Sequence, residues 1–302
     1  ELKLHTGVTK TALYLADITN KDRMTAIFRD HRPEIIYHAA AYKHVPVMES
    51  NPSEAVSCNV LGTKIMADLA IEVKAIKFVM ISTDKAVNPT NVMGCSKRIA
   101  EIYVQSLNNH LQTEPIARTS FVTTRFGNVL GSNGSVIPLF KKQIMIGGPI
   151  TVTHPEVSRF FMTIPEACQL VIEAGTMGKG GEIFIFDMGK SIKIMDLAKK
   201  MIHLSGLDPD RDINIVFTGL REGEKLYEEL LAKSENTMPT HHHKIMIAKV
   251  KEYQYIEINK YVELFNDLIN DRNELKMVAL MKELVPEFLS NYSRYEILDK
   301  SN

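Results

Sequence analysis

Short apolar runs alternate with helix-spaced apolar residues along the first 130 residues of the chain. Such runs predict strands that are buried on both faces of a sheet. They lie at residues 12–16, 34–41, 77–83 and 120–126. Apolar residues spaced along one helical face predict helices after Asn20, from 54 to 71, and after Asn91. This alternation favours an α/β fold with a doubly wound parallel, Rossmann-like sheet.

The rest of the chain shows two further patterns. Glycine and proline are frequent from 127 to 158, which is typical of loops over a ligand site. Helices are then predicted at 164–178, 194–204, 222–231, 259–271 and 274–285, and strands at 182–187 and 213–217. We expect a dinucleotide-binding domain at 1–130, to which 160–190 returns. A smaller α/β substrate-binding region at 131–240 and a helical extension at 241–302 complete this division.

Composition and charge narrow the classes of function. The 302 residues include 36 basic and 36 acidic side chains, so bulk charge provides no attraction for nucleic acid or an anionic membrane. The three cysteines lie far apart without a Cys-x-x-Cys pair, which argues against a disulfide frame and favours a reducing cytoplasm. No apolar run approaches the length of a membrane span, and no signal peptide is visible.

The sequence Thr83-Asp84-Lys85 is the strongest candidate for chemistry. It directly follows the apolar run 78–81, and Lys97 lies further on, inside a predicted helix. Parallel strands deliver ligand-facing residues at their carboxyl ends, where a crevice can shift the pKa of titratable groups. A strand-end turn with solvated charges would contain the same residue types. The motif alone therefore leaves both interpretations open.

Longer sequence phrases give the chain a family resemblance. They are His38-Ala39-Ala40-Ala41-Tyr42-Lys43-His44-Val45-Pro46, residues 82–98, Arg125-Phe126-Gly127-Asn128-Val129-Leu130-Gly131-Ser132, residues 149–161, and Leu220-Arg221-Glu222-Gly223-Glu224-Lys225-Leu226. Residues 12–250 thereby resemble the CapD-type polysaccharide-biosynthesis 4,6-dehydratases of the extended short-chain dehydrogenase/reductase family. The resemblance implies an NAD-dependent lyase that converts UDP-N-acetylglucosamine into its UDP-4-keto-6-deoxy sugar for capsule or another surface glycan.

The chain departs from that family pattern in two places. The glycine fingerprint that cradles phosphate is absent, together with the first strands of the fold. The chain starts at Glu1 with a sequence typical of a helix end, so we expect it to be part of a longer protein. The second departure is Met93, which occupies the position of the family's catalytic tyrosine. The CapD-type group shares this replacement, so it refines the assignment.

The resemblance also implies roles in the reaction. Oxidation at carbon 4 acidifies the proton on carbon 5, and a base then removes that proton while an acid protonates the departing 6-hydroxyl. We expect Asp84 to be the acid, with a pKa raised by burial, and Lys85 to be the base, with a pKa lowered by roughly three units. Thr83 is expected to bond the 4-hydroxyl, and Lys97 the nicotinamide ribose.

Ligand-binding residues follow from the same resemblance. The expected cofactor-binding residues are Asp17, Ile18, Ala39, Ala40, Ala41, Asn59, Ser82 and Lys97. The expected substrate-binding residues are Lys43, Asn128, Ser135, Arg159, Arg221 and Glu224. The two arginines are the candidates for the diphosphate, because a guanidinium binds phosphate oxygens through two parallel hydrogen bonds. Packing, capping or surface salt bridges would account for each of these residues singly.

Several alternatives stay open at this stage. A nucleotide-sugar 4-epimerase would need oxidation and reduction at carbon 4 alone, and a non-catalytic nucleotide-sugar-binding module would need neither. Adjacent histidines cannot all face one ion, so we expect no metal at His241-His242-His243. By analogy we expect a homo-oligomer in the cytoplasm, with a membrane tether before residue 1 that would hold the full-length protein at the inner face of the bacterial membrane.

Overall fold

Strands of the central sheet carry the residues of greatest interest. The computed structural model describes residues 11–114, 118–230, 236–271 and 273–299, so Glu1 and the start of the chain lie outside the described residues. The strands are β1 Ile35–His38, β2 Lys77–Thr83, β3 Ser120–Phe126, β4 Asn128–Val129, β5 Ile150–Val152, β6 Ser158–Arg159, β7 Phe161–Met162, β8 Ile183–Phe186, β9 Ile192–Lys193, β10 Ile215–Phe217, β11 Asn236–Pro239 and β12 Ile245–Lys249.

Helices connect these strands and cover them. They are α1 Lys21–His31, α2 Val45–Glu49, α3 Pro52–Val56, α4 Thr63–Glu72, α5 Val92–Leu111, α6 Val136–Met145, α7 Ile164–Met177, α8 Ile194–Leu204, α9 Tyr255–Asp271 and α10 Glu274–Leu284. A π-helical segment, Ser57–Gly62, joins α3 to α4, and single 3₁₀ turns occupy Asp84–Ala86 and Arg294–Leu298. Asn20 and Asn91 cap α1 and α5, as their position before each helix predicts.

The six-stranded central sheet has the order β1-β2-β3-β8-β12-β11. Its first four strands are parallel, and β12 and β11 extend it with antiparallel pairs. Successive residues of β2 point to opposite faces: Phe78 and Met80 pack with α5 and the C-terminal helices, whereas Val79 packs with α7. The predicted α/β class with a Rossmann-like parallel sheet is confirmed.

A smaller cluster lies beside the main sheet. Strands β5 and β10 form a parallel pair, and their apolar residues pack with α6 and α8 around Phe140 and Ile202. The short pairs β4–β7 and β6–β9 run between this cluster and the main sheet. In the described part of the chain, no helix is long and apolar enough to cross a bilayer.

Several sequence predictions of local structure differ from the fold. The loops expected at 127–158 contain the helix α6, and a π-helical segment interrupts the helix expected at 54–71. Residues 12–16 form no strand, and Leu13 and Leu15 are 79% and 99% exposed, because no described strand lies beside them to complete a ladder. The prediction of a helix at 222–231 is wrong for residues 222–230, and residue 231 lies outside the described residues. The hairpin of β11 and β12 was not predicted, although the apolar run at 245–248 gave a signal.

The failed helix has a specific physical cause. Within 221–230, backbone groups bond to other segments: the Gly223 amide donates to the Asn291 carbonyl at 2.7 Å, and the Ser158 amide donates to the Leu226 carbonyl at 3.1 Å. Gly223 also has a φ of +73°, which a helix does not permit. Tertiary partners therefore satisfy this backbone instead of the next helical turn.

Candidate active site

The end of β2 brings the three residues of the central motif together. The Thr83 hydroxyl accepts a hydrogen bond from the Lys85 amide at 3.4 Å and caps the 3₁₀ turn that follows. Gly94 lets this turn approach α5, since a Cβ there would lie 2.2 Å from the Lys85 carbonyl oxygen. The carboxyl end of a parallel strand thus presents a hydroxyl, a carboxyl and an amine at one point.

Asp84 is buried and only partly satisfied. Its Oδ1 accepts hydrogen bonds from the Thr83 hydroxyl at 2.9 Å and from Lys85 Nζ at 3.0 Å. Its Oδ2 has no hydrogen-bond partner among the described residues. Gly127 lets the carboxyl lie where it does, because a Cβ at that position would approach Oδ2 to 2.9 Å. A buried carboxyl oxygen without a partner is suited to carry a proton or to meet a ligand.

Lys85 lies among polar and charged groups. Besides Asp84, its ammonium donates to the Asn128 amide oxygen at 3.2 Å and lies 3.4 Å from Glu228 Oε1. The side chain is 21% exposed, so part of it is accessible although the ammonium is surrounded by polar partners. Burial lowers the pKa of Lys85, but the carboxylates of Asp84 and Glu228 together raise it above its usual value. The expectation of a lowered pKa is therefore wrong for this arrangement, because sequence reasoning did not include a second carboxylate.

Lys97 extends from α5 to the backbone of β2. Its ammonium donates to the Ile81 carbonyl at 2.7 Å, and the side chain is buried. Burial lowers the pKa of Lys97 to about 8, although Glu101 acts in the opposite direction. Met93, one turn earlier, is also buried and belongs to the apolar core, so its thioether offers no proton at this position.

Two predicted cofactor residues support the scaffold. The Asn59 amide accepts from the Tyr42 amide at 2.8 Å and donates to the Tyr42 carbonyl and to the Ser96 hydroxyl, each at 2.9 Å. This clamp fastens the chain after β1 to α5. The Ser82 hydroxyl donates to Glu101 Oε1 at 2.6 Å, within a buried ion cluster of Glu101 and two arginines. Both polar groups are thus committed to protein partners.

A cleft of about 670 Å³ lies beside the ends of β1 and the segment before α1. It is lined by Leu15, Ala16, Asp17, Ile18, Asn20, Arg23, Ala40, Ala41, Tyr42 and Cys58. The Asp17 carboxylate accepts from the amide and hydroxyl of Thr19, each at 2.8 Å, and these bonds lower its pKa. Ala39 precedes the cleft alanines and is exposed. Small side chains at a strand end let a ligand approach the backbone, so these residues fit a dinucleotide.

Arg159 and Arg221 meet at one carboxylate. Arg159 Nη2 donates to Glu224 Oε1 at 3.2 Å, and Arg221 Nε donates to Glu224 Oε2 at 3.3 Å. The Thr153 hydroxyl donates to the same Oε1 at 3.0 Å. Arg159 is buried, whereas the Arg221 side chain is 62% exposed. The two predicted anion-binding arginines and Glu224 therefore form one cluster.

Glu228 is a functional candidate that sequence reasoning missed. Its Oε1 lies 3.7 Å from Arg159 Nε, so it connects the arginine cluster to the Lys85 ammonium. The nearby Lys225 ammonium donates to the Val87 carbonyl at 2.7 Å, and burial lowers its pKa. Sequence reasoning gave no role to Glu228, because it treated residues 222–231 as a short helix without chemistry.

The remaining candidates lie at the edge of this arrangement or outside it. Lys43 is exposed and donates to the Asn133 carbonyl at 2.7 Å, and the buried hydroxyl of Ser135 has no partner among the described residues. His241 bonds Glu173 at 3.0 Å, while His242 and His243 stack on each other. These histidines lie against α7, which is a different location from the end of β2.

The fold is that of a Rossmann-like α/β protein, with a hydroxyl, a carboxyl and an amine at the end of a parallel strand. The family model described as polysaccharide biosynthesis protein matches residues 2–250, and the chain belongs to that family. The capsular polysaccharide biosynthesis protein CapD of Staphylococcus aureus is 55% identical over 266 residues, which are 88% of this chain and 43% of CapD. The family assignment made from sequence is confirmed.

Further relatives include a second polysaccharide biosynthesis protein and an epimerase. The probable polysaccharide biosynthesis protein EpsC of Bacillus subtilis is 51% identical over 254 residues, 84% of this chain and 41% of EpsC. The chain thus spans about two fifths of the length of CapD and EpsC. A UDP-glucose 4-epimerase of Rickettsia canadensis is 33% identical over 313 residues, 98% of this chain and 85% of the epimerase.

Solved structures agree on the fold. Pen from Bacillus thuringiensis has a TM-score of 0.73 at 36% identity, over 84% of this chain and 76% of Pen. A dTDP-glucose 4,6-dehydratase from Streptomyces venezuelae, solved with NAD and TYD bound, has a TM-score of 0.66 at 20% identity, over 75% of this chain and 73% of that one. The cofactor expected from sequence is the one that this fold neighbour contains.

Proposed function

We propose that this chain is the catalytic part of an NAD-dependent nucleotide-sugar 4,6-dehydratase acting on UDP-N-acetylglucosamine in surface polysaccharide synthesis. One observation carries the proposal: Asp84 and Lys85 form a 3.0 Å pair at the end of a parallel strand, and Asp84 keeps a buried oxygen without a partner among the described residues. Elimination of water needs one group that donates a proton and one that accepts a proton, close together on one sugar ring.

Each residue of the motif has a role in this proposal. When bound, NAD would supply the hydride acceptor for carbon 4 and the hydride donor for carbon 6. Thr83 bonds the 4-hydroxyl, Lys85 removes the proton from carbon 5, and Asp84 gives its proton to the departing 6-hydroxyl. Lys97 lies behind the strand and bonds the nicotinamide ribose. Met93 takes no part in proton transfer.

The resting ion pair and the reactive pair contain the same number of protons. In the resting state the Lys85 ammonium pairs with the Asp84 carboxyl group at 3.0 Å, which agrees with the raised pKa of Lys85. Moving one proton from the ammonium to the carboxyl gives a neutral amine and a neutral acid. A sugar ring that excludes water disfavours the charged pair and so favours this transfer. The raised pKa in the free protein is therefore compatible with Lys85 as the base.

Binding roles follow from the two neighbouring arrangements. We assign the cofactor to Asp17, Ile18, Ala39, Ala40 and Ala41, with Asn59 and Ser82 as support from behind. We assign the substrate to Lys43, Asn128, Ser135, Arg159, Arg221 and Glu224, with the arginines at its diphosphate. Glu224 already pairs with both guanidinium groups, so the diphosphate must compete with it or rearrange it.

The proposal extends to the organisation of the protein. Residues 1–130 and 160–190 belong in this proposal to the dinucleotide-binding domain, and most of 131–240 to the substrate-binding region. The helical extension expected at 241–302 is corrected at its start, because β11 and β12 extend the central sheet, and its helices α9 and α10 pack on the main core. We propose a homo-oligomer at the cytoplasmic face of the membrane, held by a segment outside this chain.

The decisive experiment uses protein expressed from the complete gene. It is incubated with UDP-N-acetylglucosamine and NAD, and the products are followed by mass spectrometry and NMR. We expect a 4-keto-6-deoxy sugar with the loss of one water. UDP-glucose and UDP-galactose serve as alternative substrates, and recovery of unchanged sugars in every case would refute an enzymatic role.

A 4-epimerase is the second candidate. The Rickettsia relative that carries this name matches 98% of the chain, which favours it directly. An epimerase would invert carbon 4 without loss of water and would not need Asp84 as an acid. A non-catalytic binding module would bind UDP-sugars and release them unchanged. The product analysis therefore distinguishes all three.

A further inference from the structure

One buried carboxylate in the site has no assigned role. Glu228 lies in the irregular segment 221–230, and its side chain is 3% exposed. Its Oε1 faces two cations, with Lys85 Nζ at 3.4 Å and Arg159 Nε at 3.7 Å. Its Oε2 is buried and has no hydrogen-bond partner in the described part of the chain. Burying a carboxylate is costly unless cations compensate it, so this placement requires both partners.

We propose that Glu228 is a positioning residue whose carboxylate ties the amine of Lys85 to the guanidinium of Arg159. The inference rests on the proposed function, in which Lys85 handles the proton of carbon 5 and Arg159 meets the diphosphate. One carboxylate oxygen between the two cations fixes their separation. It thereby sets the distance between the sugar ring and the diphosphate of a bound nucleotide sugar.

The same carboxylate helps to set the charge of Lys85. The charged groups around that amine are Asp84 on the 3₁₀ turn, Arg159 on β6, and Lys225 and Glu228 on segment 221–230. Burial lowers the pKa of Lys85, and Asp84 and Glu228 raise it. Without the charge of Glu228, Asp84 alone opposes burial and the two neighbouring cations. The pKa of Lys85 must then fall.

Glu228 also competes with an incoming anion. Arg159 binds Glu228 and Glu224 in the free protein, so a diphosphate meets a guanidinium that already has carboxylate partners. Removing one of these negative charges makes Arg159 a better anion site. A side chain that only filled space there would leave both the pKa of Lys85 and the affinity of Arg159 for an anion unchanged when its charge is removed.

The chain offers a matched pair of variants. Glu228→Gln removes the charge and keeps the shape of the side chain. Glu229→Gln makes the same chemical change one residue later, where the exposed carboxylate bonds only Asn88 among the polar contacts seen in the described residues, at 2.8 Å. Any effect specific to the bridge must appear in the first variant and not in the second.

Three measurements on the full-length holoenzyme test the proposal. Competitive acetylation of lysines with trace acetic anhydride across pH, read by mass spectrometry, gives the titration midpoint of Lys85. We expect the midpoint to fall by roughly one to three pH units in Glu228→Gln. The falling, alkaline limb of the dehydration rate against pH should move in the same direction, because the reacting pair must keep the one proton that Lys85 and Asp84 share. UDP should bind several-fold tighter by calorimetry.

The outcomes separate this inference from the proposed function. A Lys85 midpoint in Glu228→Gln that equals the wild-type value overturns the inference, even if the enzyme dehydrates its substrate. A shifted midpoint without any dehydration by the wild type supports the charge link and refutes the dehydratase. If Glu228→Gln does not fold, Glu228→Asp replaces it, because the shorter side chain withdraws the carboxylate from both cations. The titration midpoint of Lys85 should then fall by a smaller amount. An unchanged midpoint in that variant would count equally against the bridge.

Discussion

Replacing Asp84 by asparagine is the most direct perturbation of the proposed chemistry. The two side chains have nearly the same shape, so the approach to Gly127 is preserved. An amide oxygen at Oδ1 can still accept from the Thr83 hydroxyl at 2.9 Å and from Lys85 at 3.0 Å. The change removes the proton that the acid would donate and the negative charge beside Lys85. Local geometry therefore stays while the acid is lost.

The size of the effect follows from these two losses. A positioned general acid contributes about 10²–10⁴ to a rate, which is about 3–5.5 kcal/mol of barrier. We expect kcat/KM for dehydration to fall by that factor. Loss of the carboxylate also removes a charge that raises the pKa of Lys85, so the amine becomes a more available base. Removal of the carbon 5 proton should therefore persist when loss of water does not.

The assay measures both steps in deuterated water. In Asp84→Asn, deuterium should enter carbon 5 of the recovered substrate while the 6-deoxy product nearly disappears. Lys85→Met should lose the deuterium exchange and the product together, and Glu229→Gln should resemble the wild type. A folded Asp84→Asn protein that dehydrates within about threefold of the wild-type rate would exclude Asp84 as the acid, since general acid catalysis contributes at least about a hundredfold.

Three further predictions concern stability. Burial lowers the pKa of His38 to about 3, so only the unfolded state gains a proton as the pH falls from about 6.5 to about 3. The free energy of unfolding should therefore fall by about 4–5 kcal/mol over this range. Urea titrations should show this loss in the wild type, and His38→Gln should lack the contribution. Glu101→Gln should lower the free energy of unfolding by about 3–5 kcal/mol, because it removes the buried carboxylate charge that Arg125 meets at 2.7 Å and Arg98 at 3.2 Å; a loss below 1 kcal/mol would contradict this. Asn91→Ser retains a capping residue but loses the 2.9 Å hydrogen bond from the Asn91 side chain to the Gly223 carbonyl. Calorimetry should therefore show a free energy of unfolding that is lower by about 1 kcal/mol. Asn273→Ser is the control, because among the described residues the Asn273 side chain makes the capping bond alone.

Local patterns predicted the core of this fold well. The strand at 77–83 and the strand at 120–126 have the bounds that their apolar runs indicate. The helix after Asn91 begins where the cap predicts. The residues of a buried strand or of a capped helix themselves indicate burial or capping. A single sequence is therefore enough to predict these elements. The segment 12–16 failed because pairing depends on a neighbour, which no local pattern contains.

The site was harder to predict from sequence for the same reason. Sequence reasoning placed Asp84 and Lys85 side by side because they are neighbours in the chain. It missed Glu228, whose carboxylate reaches Lys85 across 143 positions, and it therefore expected the wrong direction for the pKa of that amine. It also did not anticipate that the Ser82 hydroxyl turns to Glu101. Charge balance in a crevice is a property of the tertiary structure, which a motif does not encode.

The π-helical segment 57–62 limits how the helix between β1 and β2 can change in length. Asn59 lies within this wide turn and reaches Tyr42 and Ser96 with one amide. Deleting a single residue there would restore ordinary α-helical winding and rotate the amide by about 100° away from both partners. Homologous sequences should therefore tolerate substitutions along this helix far more readily than a gap of one.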